Sequence, residues 1–324
     1  MNKLKVAVIG AGAFGQNHVR VLNRLPDIEL VGIVDSELAK AEKLASEHGA
    51  KAFPTLDAMP AIDAAIVATP TITHEEVATR LLQMGVDVLV EKPIADTATA
   101  GERLARFASE KGRILQVGHL ERFNPAVVAL EKALTIPLFF EVHRLSVFTP
   151  RSLDIDVVLD LMIHDLDLVL SFTDALPQEI RAAGISVLSQ KVDIANVRLS
   201  FASGCIANLT ASRVSVEKVR KLRLFQPGEY ISLDYQRQDA TRFSVGPAEN
   251  GSLPKIGFEQ LQVERVEPLA AELIAFCHAV RNRTPPRVDG WQGTRALQLG
   301  EAILDKIKEH SGIVSETIRS GHSK

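Results

Sequence analysis

Lys5-Val6-Ala7-Val8-Ile9-Gly10-Ala11-Gly12-Ala13-Phe14-Gly15 is the stretch on which the fold of this chain turns. A short apolar run ends in Gly-x-Gly-x-x-Gly, and a helical pattern follows from Phe14 to about Leu25. Glycine is demanded at such a junction by a tight turn, by backbone approaching a pyrophosphate, and by a helix packed close on its strand. The helix N-terminus then offers unpaired N–H groups and a partial positive charge to phosphates. An acid, Asp35, ends the next strand twenty residues past Gly15 (35 − 15 = 20). A carboxylate there accepts ribose hydroxyls and repels a 2′-phosphate, so NAD is expected over NADP. Gly10, Gly12, Ala13, Phe14, Gly15 and Asp35 are the expected cofactor contacts. A strand–turn–helix junction without a ligand is the alternative.

Outward from this turn, short β-rich runs alternate with helical stretches. Glu29–Asp35, Ala64–Ala68, Val86–Glu91 and Ile114–Gly118 read as strands, and Ser36–His48 as a helix. A helix from about His74 has Thr73 and Glu76 in the spacing of a capping box, with Gly85 past its end. Asp96 is placed to cap another helix running to about Lys111, before Gly112. Such alternation predicts a doubly wound parallel sheet covered on both faces, a Rossmann domain, over 1–120. Beyond it, Asn124-Pro125 starts a short helix, Phe139–Phe148 alternates like a strand, and Val157–Phe172 is a long apolar helix. From about Glu179 to Val266 the chain is mostly strand-like; Ala195–Phe201 and Cys205–Ala211 are joined by the turn at 202–204. Pro268–Arg281 and Gly293–Lys308 return to helix. The expectation for 121–324 is an α+β domain with a large, mainly antiparallel open sheet, serving substrate binding and oligomerisation.

A chain of 324 residues is long enough for two domains of roughly 100–200 residues each. Its net charge of −3 gives no field for nucleic acid or an anionic membrane. Aromatic residues are 5%, too sparse for a base-stacking platform. No apolar run reaches the roughly 18 residues of a membrane span, and the start turns glycine-rich too early for a signal peptide. Two distant cysteines, Cys205 and Cys277, argue for a reducing compartment, the cytoplasm.

Glu91-Lys92-Pro93 closes a parallel strand, and ligands of open α/β sheets bind outside the carboxyl ends of their strands. Lys92 is therefore expected to face the cofactor, although a strand-end salt bridge would read the same way. The apolar helix carries Asp160 and His164 at i and i+4, with Asp156 and Asp167 extending the stripe a turn each way. Polar groups in such a helix must pair or do chemistry. Either they form a structural hydrogen bond, or His164 is a base oriented by Asp160. No metal is expected, because two ligands on one helix lack a third and fourth.

Taken together, Gly10-x-Gly12-x-x-Gly15, Ala68-Thr69-Pro70 with His74 following, Glu91-Lys92-Pro93 and Asp160-x-x-x-His164 resemble the glucose–fructose oxidoreductase / inositol dehydrogenase / rhizopine-catabolism (Gfo/Idh/MocA) family. The resemblance implies an NAD-dependent dehydrogenase acting on a sugar hydroxyl. It implies Lys92, Asp160 and His164 as catalytic residues, and Ala68, Thr69, Pro70, His74, Glu91 and Lys92 as further cofactor contacts. Homo-oligomers, dimers or tetramers built on the outer sheet face, are implied too. Many members carry a glycine run before the aspartate, where this chain has Asp154-Ile155-Asp156. The segments 118–125, 144–151 and 160–165 also resemble a bacterial subgroup of envelope biosynthesis that oxidises the 3-hydroxyl of UDP-N-acetylglucosamine to a ketone.

A sugar or UDP-sugar is thus the expected substrate. Arg122 and Asn124, at the domain junction, are its expected ligands together with His164, and His119 is within possible reach. Arg144, Arg151, Arg213, Lys218, Arg220 and Lys221 are further candidates for a diphosphate, or else solvated strand faces. Whether Lys92 or His164 is the base stays open. An inositol or free-sugar dehydrogenase is the alternative within enzymes, and a non-catalytic NAD-sensing protein the alternative outside them.

Overall fold

The computed structural model describes residues 2–149, 153–246 and 255–321. The chain forms two compact units, Met1–Phe123 with Val266–Leu297, and Asn124–Arg265 with Gln298–Lys324. One crossover lies close to the expected boundary at 120/121. The return of 266–297 to the first unit was not foreseen.

In the first unit, β1 (Leu4–Ile9), β2 (Ile28–Val34), β3 (Lys51–Phe53), β4 (Ala64–Val67), β5 (Asp87–Glu91) and β6 (Leu115–Gly118) form a parallel sheet in the order β3-β2-β1-β4-β5-β6. β4 and the centres of β1 and β5 are wholly buried, as helices on both faces require. Helices α1 (Ala13–Leu22), α2 (Leu38–His48), α3 (His74–Gln83) and α4 (Ala98–Glu110) link the strands. The strand order reverses between β1 and β4, the switch point at which such sheets open a crevice. β3 was not read from the sequence; it has three residues, none fully buried. Two caps differ from expectation. The Thr73 side chain does not cap α3, because a 3₁₀ turn over Thr71–Thr73 precedes the helix and the hydroxyl lies 2.8 Å from both Thr69 Oγ1 and the Pro70 carbonyl. Thr97, not Asp96, caps α4, accepting from the Ala100 N–H at 3.3 Å.

The second unit holds α5 (Pro125–Ala133), β7 (Phe139–Val147), a π turn (Val158–Met162) running into α6 (Ile163–Thr173), and the strands β8 (Glu179–Ile185), β9 (Ile194–Ser200), β10 (Ile206–Ser215), β11 (Val219–Gln226), β12 (Glu229–Asp234), β13 (Asp239–Val245) and β14 (Ile256–Gln260). They form one sheet, β14-β13-β12-β11-β7-β10-β9-β8, antiparallel throughout except between β7 and β10. Alternation buries Phe140, Val142, Leu222, Leu224, Ile231 and Leu233, and Phe140 stacks on Phe172 of α6 at 6.1 Å. Across the strands runs an aromatic ladder, Phe139–Phe225–Tyr230–Phe243–Phe258, with centroids 4.5 to 5.8 Å apart. Phe258 at its end is 70% exposed.

The chain returns to the first unit with α7 (Pro268–Asn282), whose Leu273, Phe276, Cys277 and Val280 join the core under β1 and β4. α8 (Gly290–Gly321) begins there and continues into the second unit. Among the described residues no helix is long and apolar enough to cross a membrane.

Candidate active site

The glycine turn leaves β1 with Gly10 at φ +105°, where an added Cβ would sit 2.5 Å from the Ala68 carbonyl oxygen. A Cβ on Gly15 would lie 1.9 Å from the Gly10 oxygen, so the helix is packed directly on the turn. Gly12 differs: nothing lies within 4 Å of its Cβ position. Two glycines thus answer to the fold, and the third leaves open space before the N-terminus of α1. That is the cradle a pyrophosphate needs, and these residues fit a dinucleotide. Phe14 beside it is 60% exposed.

Asp35 is tied to this turn. Its Oδ2 accepts from the Ala11 N–H at 2.7 Å and its Oδ1 from the Glu37 N–H at 2.8 Å. Each carboxylate oxygen keeps a second lone pair for a ribose hydroxyl. Ala68, Thr69 and Pro70 follow β4, and Lys92 follows β5, so these expected residues share the carboxyl edge of one sheet with the glycine turn. Lys92 is half-buried, and its peptide bond to Pro93 is cis.

His74 is 1% exposed, and its ring nitrogens each lie 2.9 Å from a carbonyl oxygen, Nε2 from Thr69 and Nδ1 from Pro93. Burial lowers its pKa and favours the neutral ring, although both carbonyls pull the other way. His74 pins the loops after β4 and β5 to each other.

Glu91 likewise turns inward, where its Oε1 meets His18 Nε2 at 2.6 Å. Its Oε2 accepts from the Lys92 N–H at 3.3 Å. Burial alone would raise the Glu91 carboxyl, but the His18 hydrogen bond and the charges of His18 and Lys92 bring it below its usual value. Glu272 of α7, 1% exposed, lies within the field of Glu91. Burial and that neighbouring carboxylate push its own pKa well up, which favours the protonated acid. His18 and Glu272 went unremarked in the sequence. His18 had a legible signal: Gly15, His18, Val19 and Leu22 follow the i, i+3, i+4, i+7 spacing of a buried helix face.

The second unit carries Asp160 and His164, both half-buried. They do not lie on one uninterrupted α-helix. Asp160 is inside the π turn, closed by the Ile163 N–H to the Val158 carbonyl, and His164 is in the first turn of α6. Asp156 braces this segment: its Oδ1 accepts from the Val192 N–H at 2.8 Å.

Asn124 is 2% exposed and serves the fold, its Oδ1 capping α5 at Ala126 N and its Nδ2 donating to the Tyr235 carbonyl at 3.0 Å. Arg122 is 8% exposed in a 3₁₀ turn of the first unit, and His119 beside it is 1% exposed. Arg144 is no solvated cation, because it is buried against Asp165. Arg213 is buried too, bonded to the Ile155 carbonyl and 3.7 Å from Asp193. Lys218 and Lys221 are exposed, and Arg220 is half-buried. Arg151 lies outside the described residues. No cluster of three or more His, Cys, Asp or Glu that could hold a metal occurs among the described residues.

A family model described as "Oxidoreductase family, NAD-binding Rossmann fold" matches residues 4–119, and the GFO/IDH/MocA C-terminal domain matches 141–225. The chain is 36% identical over 299 residues to UDP-N-acetylglucosamine 3-dehydrogenase of Acidithiobacillus ferrooxidans, covering 92% of this chain and 95% of that protein. A crystal structure under that name, from the same organism, superposes with a TM-score of 0.90 at 34% identity, covering 95% of this chain and 99% of that one. An inositol 2-dehydrogenase of Rhizobium meliloti is 24% identical, covering 94% and 97% of the two chains.

Proposed function

This chain belongs to the GFO/IDH/MocA oxidoreductase family, and from that premise we propose that it oxidises the 3-hydroxyl of UDP-N-acetylglucosamine to a ketone with NAD. The observation that carries the substrate is the full-length similarity at 36% identity to a protein of that activity, set against 24% for an inositol dehydrogenase over a comparable span.

When bound, NAD supplies the acceptor for the hydride that leaves the sugar carbon. The turn at Gly10, Gly12 and Gly15 with the α1 N-terminus would hold its pyrophosphate, and Asp35 its adenosine ribose. Ala13, Phe14, Ala68, Thr69 and Pro70 are further contacts on this reading. His164 takes the hydroxyl proton, and Asp160 keeps the imidazole in the accepting tautomer. Lys92 donates a hydrogen bond to the reacting oxygen and stabilises its developing negative charge. The His18–Glu91 pair anchors the residue before Lys92, which supports a fixed lysine position. Arg122 is kept as a substrate ligand on this reading, alongside His164.

Cys205 and Cys277 are buried free thiols, in keeping with the cytoplasm. The partly exposed aromatic ladder supports a homo-oligomer, a dimer or tetramer. A role in envelope biosynthesis goes with the substrate.

Turnover is measured as NADH formation with UDP-N-acetylglucosamine, UDP-glucose, myo-inositol and glucose in parallel, with the product mass checked for loss of two hydrogens. NADH with UDP-N-acetylglucosamine is expected. NADH only with the free polyols would overturn the nucleotide-sugar assignment and leave an inositol or free-sugar dehydrogenase.

A further inference from the structure

His164 is followed in the chain by Asp165, and Asp165 is held from two other elements. Arg144 of β7 donates to it twice, from Nε to Oδ2 at 2.6 Å and from Nη2 to Oδ1 at 2.8 Å. Tyr235, just past β12, donates its hydroxyl to Oδ1 at 3.2 Å. The Arg144 guanidinium also lies over the Tyr235 ring, 5.0 Å from its centroid. Tyr235 is held in turn through its carbonyl, which accepts from Asn124 Nδ2 at 3.0 Å. Arg144 and Asp165 are both 2% exposed or less.

An ion pair this deep is a weak device for stability, since well-packed apolar residues commonly replace such a pair without loss. It is a strong device for geometry, because a bidentate arginine–carboxylate contact tolerates little rotation. Geometry is what this segment has to control. The π turn over Val158–Met162 changes the rotation of Asp160 relative to everything after it, and π turns gather at functional sites. A slip at the junction of π turn and α-helix would swing His164 away and tear Asp165 from its two donors.

We propose that Arg144, Asp165 and Tyr235 are positioning residues that fix the rotation of the helical segment presenting Asp160 and His164. The proposal rests on reading that pair as the acid–base residues. None of the three clamp residues touches substrate or cofactor in it; they act through the helix.

The test uses the full chain with NAD and UDP-N-acetylglucosamine, and two clamp variants. Arg144→Met with Asp165→Leu replaces the ion pair by apolar groups. Tyr235→Phe removes a single hydroxyl and keeps the ring under Arg144, so it covers the case in which the double variant does not fold. In each folded variant kcat should fall roughly 10- to 100-fold, the cost of a small misplacement of a catalytic group. The Kd for NAD should stay unchanged, and the isotope effect on kcat with the sugar deuterated at C3 should rise. In the NAD-free protein the ring resonances of His164 should shift while Tm in Tyr235→Phe stays within a degree or two. Unchanged kcat and unchanged His164 resonances would overturn the clamp. His164→Gln separates the two levels: normal turnover there removes the acid–base reading and the clamp with it, whereas a dead His164→Gln beside normal clamp variants removes the clamp alone.

Discussion

Asp193→Asn tests how the segment that carries Asp160 is held. The Asp193 carboxylate is fully buried between β8 and β9. Its Oδ2 accepts from the N–H groups of Val187, Leu188 and Ser189 at 2.7, 2.7 and 2.9 Å, and its Oδ1 from the Ser189 hydroxyl at 2.7 Å. Burial alone would raise the carboxyl, but these donors outweigh it and hold the pKa at about 2, against an ordinary 3.8. The loop so gathered leads to Val192, whose N–H donates to Asp156 and whose carbonyl accepts from the Val157 N–H at 2.9 Å, one residue before the π turn. Holding the carboxyl at about 2 rather than 3.8 is worth ~2.4 kcal/mol at neutral pH. The sign follows from the lower folded value. The stabilisation is complete above the ordinary pKa and disappears as pH falls through about 2, so ~1.3 kcal/mol should survive at pH 3. Asp193→Asn should therefore lower the melting temperature by roughly 5–10 °C at pH 7 and by about half that at pH 3, read by scanning calorimetry. A gap independent of pH would mean that shape and neutral hydrogen bonds, rather than the carboxylate charge, hold the loop.

Gly12→Val places its side chain in open space and should leave the melting temperature nearly unchanged while abolishing NAD binding by calorimetric titration. Gly15→Ala drives a methyl into the Gly10 carbonyl and should instead destabilise the fold; equal effects of the two on stability would refute the division of roles. Glu272→Gln imitates the neutral acid: because the folded pKa of Glu272 is raised, its contribution is complete below about 4.5 and is lost as pH rises, so the wild type should lose melting temperature from pH 5 to pH 8 relative to the variant. Parallel curves would show that the Glu272 carboxyl is not raised. Lys92→Ala should lower kcat by roughly 10²–10⁴ with the Kd for NAD little changed, and near-normal turnover would exclude Lys92 from the chemistry.

The parallel sheet was legible because its strands are continuous apolar runs between glycine-marked helices, and β4 and β5 stand within a residue of their expected limits. β3 escaped because a three-residue edge strand with no fully buried side chain has no period to detect. The return of α7 escaped for a different reason. Leu273, Phe276, Cys277 and Val280 make an apolar stripe that could cover either sheet, and nothing local says which. The α3 cap escaped because a spacing rule for an α-helix cannot register that Thr71–Thr73 winds more tightly. Arg144 was read as a diphosphate candidate or a solvated strand-face cation, although strand parity placed it inward. Phe140, Val142 and Arg144 alternate on one face of β7, and a basic residue on the buried parity of a strand calls for a buried acid.

That acid is Asp165, and its depth sets it apart from Asp160 and His164. Polar groups in an apolar helix must pair or react. Within α6 the acids to which this applies most strictly are Asp165 and Asp167, at 1% and 2% exposure. Asp160 and His164, on the same segment, are only half-buried. A purely structural Asp–His pair would be expected at the depth of Asp165, where desolvation makes a missing partner costly. A pair that exchanges a proton with a ligand must keep a path to it. The two kinds of carboxylate sit five residues apart, one gripped by an arginine and a tyrosine, the other set in a turn wider than an α-helix. Asp165→Asn should weaken the fold and lower turnover together, whereas Asp160→Asn should lower turnover with the melting temperature little changed. A large loss of stability in Asp160→Asn would return that pair to the structural role.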